Sequence, residues 1–209
     1  MISPRGGSLT ASSEVTGHPV PSLVLASSSP RRLSLLAQIG VVPARIAAPD
    51  IEEDARPGEL PRDYVLRIAT EKALAVPRAP GEVVLAGDTT VAVGRRILAK
   101  PVDEADLRRM LGLLSGRRHH CFSAICVIGD DARPRTRISD TIVTFKRLSA
   151  AEVDAYVASG EGMGKAGGYA IQGRAEGYVR FLSGSYSGVV GLPLLETRAL
   201  LEGAGVPIG

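Results

Sequence analysis

The chain has 209 residues, of which 44% are apolar and 22% charged, proportions that are ordinary for a globular protein with a sizeable core. A formal net charge of +3 is too small to indicate a nucleic-acid partner, and an aromatic content of 4% leaves few side chains on which bases could stack. No apolar run approaches the length of a membrane-spanning helix. The composition therefore argues against a nucleic-acid-binding module and a membrane partner, and favours one α/β domain with room for two lobes.

Residues 1–22 contain Ser, Gly, Pro and a single Arg, without the apolar stretch of a signal peptide. We predict a disordered leader, or residues upstream of the native start, followed by one domain over 23–209.

The first predicted elements enclose a run of hydroxyl and guanidinium side chains. Leu23–Ala26 is a short apolar strand, Ser27–Arg32 follows it, and leucines at helical spacing continue to Gly40. A serine can cap this helix, and Pro30 suits its first position. An ordinary capped helix with two solvated arginines would need only one Ser and a Pro. Three hydroxyls and two arginines at a helix N-terminus instead predict a cradle for polyphosphate.

The remaining elements are predicted from apolar periodicity and turn residues. In chain order they are a weak strand at 44–48, an acidic loop at 50–54, a helix over 61–76, a strand over 82–86 that runs into Gly87–Thr90, a hairpin of 90–93 and 96–99, a helix over 103–114, antiparallel strands at 118–128 and 137–147, a helix from the Ser149 cap to Ala158, a glycine tract at 160–173 and a helix over 192–201. Crossovers and hairpins together predict one mixed sheet wrapped by helices.

Two cysteines and two histidines lie on the strand predicted over 118–128. Cys121 and Cys126 are five residues apart and should face opposite sides of it, which disfavours a local disulfide. His119 and His120 are adjacent and should also face opposite ways, which disfavours a metal site there. Reduced thiols in the core of a cytoplasmic protein are the better interpretation.

Three familiar motifs fail in their context. Gly162–Gly167 matches the dinucleotide-binding string but follows a predicted helix where a strand is needed. Lys165 follows Gly164 but lacks both the upstream glycine and the next Ser or Thr of a P-loop. Gly184–Gly188 has Tyr186 where a nucleophile elbow needs serine.

The remaining candidates for a functional site are charged and polar groups on predicted turns, helices and strand ends: Arg31, Arg32, Glu53, Lys72, Asp88, Lys100, Lys165 and Gln172. Cations that suit phosphate, beside carboxylates with no evident ion-pair partner, predict a divalent metal, Mg²⁺ or Mn²⁺, on a polyphosphate. Taken singly, Glu53 also suits a solvated loop acid, Asp88 a Gly-Asp β-turn and Lys72 the exposed edge of a helix. The prediction therefore rests on their conjunction.

The order of these motifs resembles the Maf-like nucleoside triphosphate pyrophosphatases, a family also described as septum formation inhibitor proteins. The resemblance spans about 23–201 and rests on Leu25–Arg32, Glu71–Ala73, Ala86–Thr89, Lys100–Pro101, Leu114–Gly116, Lys165–Gly173 and Val189–Pro193. It implies a single α/β domain with a mixed, twisted sheet, flanking helices and a cleft between two lobes, similar to inosine triphosphate pyrophosphatases.

The resemblance also implies metal-dependent hydrolysis between the α- and β-phosphates, which gives a nucleoside monophosphate and pyrophosphate. Asp88 matches the residue assigned as proton acceptor, and we expect it to hold the metal with Glu53. The expected substrate-binding residues are Ser29, Arg31, Arg32, Lys72, Thr89, Lys100, Lys165 and Gln172.

The expected substrates follow from a branch of the family. Arg31, Thr89 and Gln172 match the branch that looks like dTTP/UTP pyrophosphatases, and modified nucleotides are further expected substrates. Two positions depart from the family pattern: Leu33-Ser34 replaces a more polar, often acid-containing, pair, and Gly188 stands where Asn is common, and neither belongs to the expected chemistry. The alternative function is a non-catalytic nucleotide-binding regulator of cell division. A homodimer is compatible with either.

Overall fold

The computed structural model describes residues 20–209, so the predicted leader lies almost entirely outside the described residues. The strands are β1 Ser22–Ala26, β2 Arg45–Ile46, β3 Glu82–Val93, β4 Arg96–Leu98, β5 Arg118–Ile128, β6 Pro134–Phe145 and β7 Val179–Ser183. The α-helices are α1 Pro30–Gln38, α2 Pro61–Ala75, α3 Glu104–Leu114, α4 Ala150–Ala158, α5 Tyr186–Val190 and α6 Leu194–Gly203, and 3₁₀ turns occupy Ala166–Gly168 and Arg174–Tyr178.

The strands form one mixed sheet in the order β2-β1-β3-β5-β6-β7, with β4 paired to β3. β1 runs parallel to β2 and β3, whereas β3, β5, β6 and β7 pair antiparallel. Helices pack on both faces of the β1 end. The predicted mixed sheet flanked by helices is therefore confirmed.

Alternating side chains along β1 and β3 divide the core of one lobe. Leu25 and Leu85 face α1 and α6, while Val24 and Val84 face α2. A separate cluster around Phe145 fills the other lobe beneath α3 and α4. The expected two lobes are thus two ends of one sheet, each with its own apolar core.

A gap in strand pairing lies between the lobes. β1 pairs with β3 only as far as Ala86, and β4 begins to pair with it at Val91. Among the described residues, no strand pairs with 87–90 on that side, so a cleft can open against the middle of β3. A Gly-Asp β-turn does not form at Asp88, because antiparallel pairing with β5 continues through 87–90 and overrides the local turn preference of these residues.

Other differences are local. Ser149 caps α4 with the predicted capping box, whereas β7 and α5 were not predicted. α6 begins at Leu194, two residues later than expected. Gln172, in the predicted glycine tract, lies in a turn. None of the helices within 20–209 combines the length and apolar character needed to cross a bilayer.

Candidate active site

A cleft of about 330 Å³ opens where β1 ends and α1 begins, against the pairing gap of β3. Every site residue predicted from the sequence lines it: Ser29, Arg31, Arg32, Glu53, Lys72, Asp88, Thr89, Lys100, Lys165 and Gln172. The structure therefore brings these residues together, and their individual roles stay predictions.

The N-terminus of α1 forms one wall. Ser29 occupies the N-cap position, as expected of one of the serines, but its side chain makes no capping hydrogen bond. Instead, the Ser27 hydroxyl accepts a hydrogen bond from the Ser29 backbone N–H at 3.1 Å. The first turn of α1 thus presents the positive end of the helix dipole to the cleft.

Backbone carbonyls, not carboxylates, hold the two arginines of α1. Arg31 Nε donates to the Val190 carbonyl at 3.3 Å, and Arg32 Nε donates to the Gly191 carbonyl at 2.8 Å. Arg32 Nη1 also donates to Ser27 Oγ at 3.1 Å. These bonds orient the guanidiniums without neutralising them.

Lys165 adds a third cation to this wall, and we call Arg31, Arg32 and Lys165 the cation group. Within 20–209 none of the three forms an ion pair. Burial lowers the pKa of each, and the charge on Arg31 lowers the pKa of the other two further, while Asp88 and Glu53 act in the opposite direction on Arg32. An anion bound here would relieve both the desolvation and the repulsion.

A buried lysine joins two carboxylates in the same cleft. Lys72 on α2 is only 6% exposed, and its Nζ lies 2.8 Å from Asp88 Oδ1 and 3.0 Å from Glu53 Oε1. Lys100 Nζ lies 3.8 Å from Glu53 Oε2. We call these four residues the carboxylate–lysine cluster.

This cluster corrects the plainer interpretations of its members. Lys72 is not the exposed edge of α2, because it shares the apolar face of Val65 and Ile68 and is buried with them. Asp88 lies within β3 rather than in a turn. Asp88 and Glu53 do have ion-pair partners, which sequence alone did not reveal because the lysines come from other elements.

The acidic loop that carries Glu53 is anchored by α2. The Tyr64 hydroxyl donates to the Glu53 carbonyl at 2.8 Å, and Arg67 Nη2 donates to the Asp54 carbonyl at 3.0 Å. Burial alone would raise the pKa of Glu53, but the hydrogen bond and charge of Lys72, with the charge of Lys100, lower it below its ordinary value. A carboxylate on an irregular loop is thereby fixed in place and kept ionised.

Thr89 belongs to a chain of hydrogen bonds across the sheet. Its hydroxyl lies 3.0 Å from the Ser123 hydroxyl, which donates to the Gly188 carbonyl at 2.5 Å. A side chain on Gly188 would come within 3.1 Å of Ser185 Cβ. The backbone carbonyl of Gly188, the residue that departs from the family pattern, is thus the acceptor at the end of the hydrogen-bond chain that begins at Thr89.

An apolar wall completes the cleft and was not predicted from the sequence. It contains Val91, Cys121, Tyr169, Ala170 and Val189. Burial raises the pKa of the Cys121 thiol to about 12, so this cysteine is no nucleophile at neutral pH. Tyr169 belongs to Lys165–Gly173, a segment that resembles the family, so the sequence could have indicated its place in the site. No pattern in the sequence indicated that Cys121 would line the cleft.

The donor set bears on a divalent cation. No three His, Cys, Asp or Glu side chains converge as a metal cluster among residues 20–209. Glu53 and Asp88, however, both reach Lys72 Nζ and line the same cleft. Two carboxylates beside a phosphate site fit Mg²⁺, which takes one or two carboxylates and completes its shell with phosphate and water.

Comparisons with known proteins identify the family. The Maf-like protein family profile matches residues 22–204. A protein named dTTP/UTP pyrophosphatase from Sphingopyxis alaskensis is 75% identical over 190 residues, 91% of this chain and 100% of that protein. A protein of the same name from Novosphingobium aromaticivorans is 59% identical, over 90% of this chain and 94% of that protein.

Solved structures give weaker matches. A HAM1 protein from Coxiella burnetii is 19% identical, with a TM-score of 0.42 over 61% of this chain and 74% of that one. The assignment rests instead on the profile and on the relatives in sequence. This chain belongs to the Maf-like protein family.

Proposed function

We propose that the protein hydrolyses nucleoside triphosphates to a nucleoside monophosphate and pyrophosphate, with dTTP and UTP favoured. The observation that carries this proposal is one cleft whose lining contains both the cation group and the carboxylate–lysine cluster. The first suits a polyphosphate, and the second suits a proton acceptor and a divalent metal. The relatives named dTTP/UTP pyrophosphatase support the same reaction.

In this proposal Asp88 accepts the proton of the water that attacks the α-phosphate, and Lys72 holds its carboxylate in place. Arg31, Lys72 and Lys100 neutralise the charge that develops on the pyrophosphate leaving group. Glu53 and Asp88 would hold Mg²⁺ or Mn²⁺, which supplies further charge neutralisation when bound.

The remaining proposed roles concern binding. Arg32 and Lys165 complete the phosphate site, and Ser29 lies at the N-terminus of α1 beside them. Thr89 and Gln172 read the base, with the apolar wall against its faces. Two free, buried cysteines favour the cytoplasm as the place of action.

The decisive experiment is turnover of the purified protein on a panel of standard and modified nucleoside triphosphates, with Mg²⁺, with Mn²⁺ and with chelator. Phosphorus NMR of the products should show pyrophosphate and the monophosphate, and only with metal. Stepwise loss of the γ-phosphate would contradict the proposed bond cleavage. Nucleotide binding without turnover of any substrate would favour the non-catalytic regulator of cell division instead.

A further inference from the structure

The backbone of a short turn determines where Gln172 lies. Within residues 20–209 the Gln172 side chain makes no hydrogen bond, and Gln172 is exposed beside the cleft. The position of Gln172 therefore follows from the backbone of the turn at 170–174.

Two side chains bind this turn on both sides of Gln172. The Ala170 N–H, two residues before it, donates to the Tyr156 hydroxyl oxygen at 3.2 Å. The Arg174 N–H, two residues after it, donates to Glu161 Oε2 at 3.1 Å. Each end of the turn is thus tied to the segment that ends α4.

A third hydrogen bond joins the two anchors to each other. The Tyr156 hydroxyl donates to Glu161 Oε1 at 3.2 Å, so the hydroxyl and the carboxylate form one connected unit. Tyr156 is 1% exposed, and its ring packs edge-on against Tyr178 with centroids 5.8 Å apart. A fully buried and closely packed ring moves little, so Tyr156 is a rigid support for the turn.

The contact at Gly173 shows how closely the carboxylate follows the turn. A Cβ at this position would lie 2.5 Å from Glu161 Oε1, closer than van der Waals contact permits. Gly173 has a φ of −116°, so its backbone conformation does not itself require glycine. A side chain at this position would therefore require the Glu161 carboxylate to move.

We propose that Tyr156 and Glu161 are positioning residues that hold Gln172 against the base of the substrate. Neither lines the cleft, so they act through the turn and not on the nucleotide. This inference rests on the proposed function, in which Gln172 contacts the base. Loss of the clamp should let Gln172 sample other positions, which weakens discrimination between bases while the phosphate chemistry continues.

The test is Tyr156→Phe, with Tyr178→Phe as the matched control. Tyr156→Phe removes two hydrogen bonds of the clamp, keeps the ring and leaves every charge in place. The Tyr178 hydroxyl donates to the Glu152 carbonyl at 3.3 Å, so its removal also deletes a tyrosine hydroxyl bond but leaves the clamp intact. We expect Tyr156→Phe to lower the ratio of kcat/KM for UTP over CTP about 3- to 10-fold. This is the size expected if Gln172 loses one hydrogen bond to the base.

The change should appear in KM for UTP, with kcat on UTP within about twofold of the wild-type value, because Gln172 takes no part in bond cleavage. Tyr178→Phe should keep the wild-type ratio even where its melting temperature falls. A merely structural role for Tyr156 would lower stability and total activity without moving the ratio.

Gly173→Ala provides a second route if Tyr156→Phe does not fold. The added methyl group should displace the Glu161 carboxylate and lower the same ratio. Gly177→Ala, with no heavy atom within 4 Å of the added carbon, is its control. A folded Tyr156→Phe or Gly173→Ala protein with wild-type base discrimination overturns the clamp, provided that Gln172→Ala does lower discrimination. Equal turnover of UTP and CTP by the wild-type protein would instead remove the base-reading role of Gln172, and the clamp with it.

Discussion

Lys72 Nζ lies 2.8 Å from Asp88 Oδ1, and this ion pair ties α2 to the stretch of β3 that has no neighbour on one side. The Lys72 and Asp88 side chains are each 8% exposed, so both charges have lost most of their hydration. Glu53 gives the same ammonium a second carboxylate at 3.0 Å. The pair therefore positions Asp88 at the cleft, and Lys72 keeps a partner if the charge on Asp88 is removed.

Asp88→Asn should lower turnover by roughly 10²- to 10⁴-fold, the usual range for loss of a general base. The amide preserves the shape of the side chain but does not accept the proton. Since Lys72 still has Glu53, we expect the variant to fold and to bind nucleotide. Steady-state kinetics and calorimetric binding of a non-hydrolysable analogue measure the two properties separately.

Asp131→Asn is the matched control for this substitution. Asp131 pairs with Arg135 at the turn between β5 and β6 and does not line the cleft. It should keep full turnover. Near-wild-type turnover of Asp88→Asn would remove Asp88 from the mechanism.

Local signals explain which parts of the fold were predictable. A few adjacent residues are enough to predict some features. They are the cap at Ser149, the prolines that begin α1 and α2, and the alternation along β5. The same holds for the amphipathic spacing that contains Lys72. Such elements need little tertiary information, because capping and periodicity act within one or two turns.

The remaining features depend on packing between distant segments. The Lys72–Asp88 pair forms only because α2 lies across the face of β3, and no local pattern states that contact. The Gly-Asp-Thr-Thr run favours a turn in isolation, yet pairing with β5 keeps 87–90 extended. Cys121 lines the cleft because β5, the strand that carries it, passes behind the cleft. A cysteine predicted as a buried core residue therefore also forms part of the apolar wall.

The free energy of unfolding should depend on pH through Glu59, whose partner Arg67 also anchors the acidic loop at Asp54. Arg67 donates to both Glu59 carboxylate oxygens at 2.7 Å, and this lowers the pKa of Glu59 from 4.5 to about 2. Because the pKa is lower in the folded state, the stabilisation is complete above about pH 4.5 and is lost as the pH falls through about 2. Urea unfolding of Glu59→Gln should therefore show a shallower loss of stability across this window than the wild type.

Glu202→Gln, which breaks an exposed pair with Arg198 on α6, serves as the control. Its pH dependence should follow that of the wild type. If Glu59→Gln followed the wild type as well, loss of the Arg67 pair would not be the cause of the fall in stability in acid.

Cys121→Ala and Cys126→Ala should both keep turnover. Burial raises the pKa of Cys121 to about 12 and that of Cys126 to about 11, so neither is a thiolate near neutral pH. Cys126 packs beneath α2, and Cys121 supplies only its apolar surface to the cleft. Assays of the double variant with and without oxidant check this, and loss of activity in a folded double variant would point to a redox or metal role.

The last prediction concerns the base. UTP and dTTP present carbonyl oxygens and one ring N–H, which the amide of Gln172 can match with its own donor and acceptor. Cytosine presents an amino group and an unprotonated ring nitrogen, and leaves a mismatch. Gln172 is exposed in the free protein, so the mismatch is felt only when the nucleotide covers it.

A buried polar mismatch is worth about 1–3 kcal/mol, which corresponds to roughly 5- to 150-fold discrimination. We therefore expect UTP and dTTP to be hydrolysed well ahead of CTP and ATP, and Gln172→Ala to flatten that preference and lower activity. Gln38→Ala, which changes the only other glutamine of the chain at the exposed end of α1, should leave the preference intact. Competition assays with paired nucleotides measure the ratios directly. Since Gln172 should act on the base and Asp88 on the attacking water, the double variant Asp88→Asn, Gln172→Ala should lose turnover as Asp88→Asn does while also losing the preference. A Gln172→Ala protein with an unchanged UTP-to-CTP ratio would show that Thr89 or the apolar wall reads the base instead.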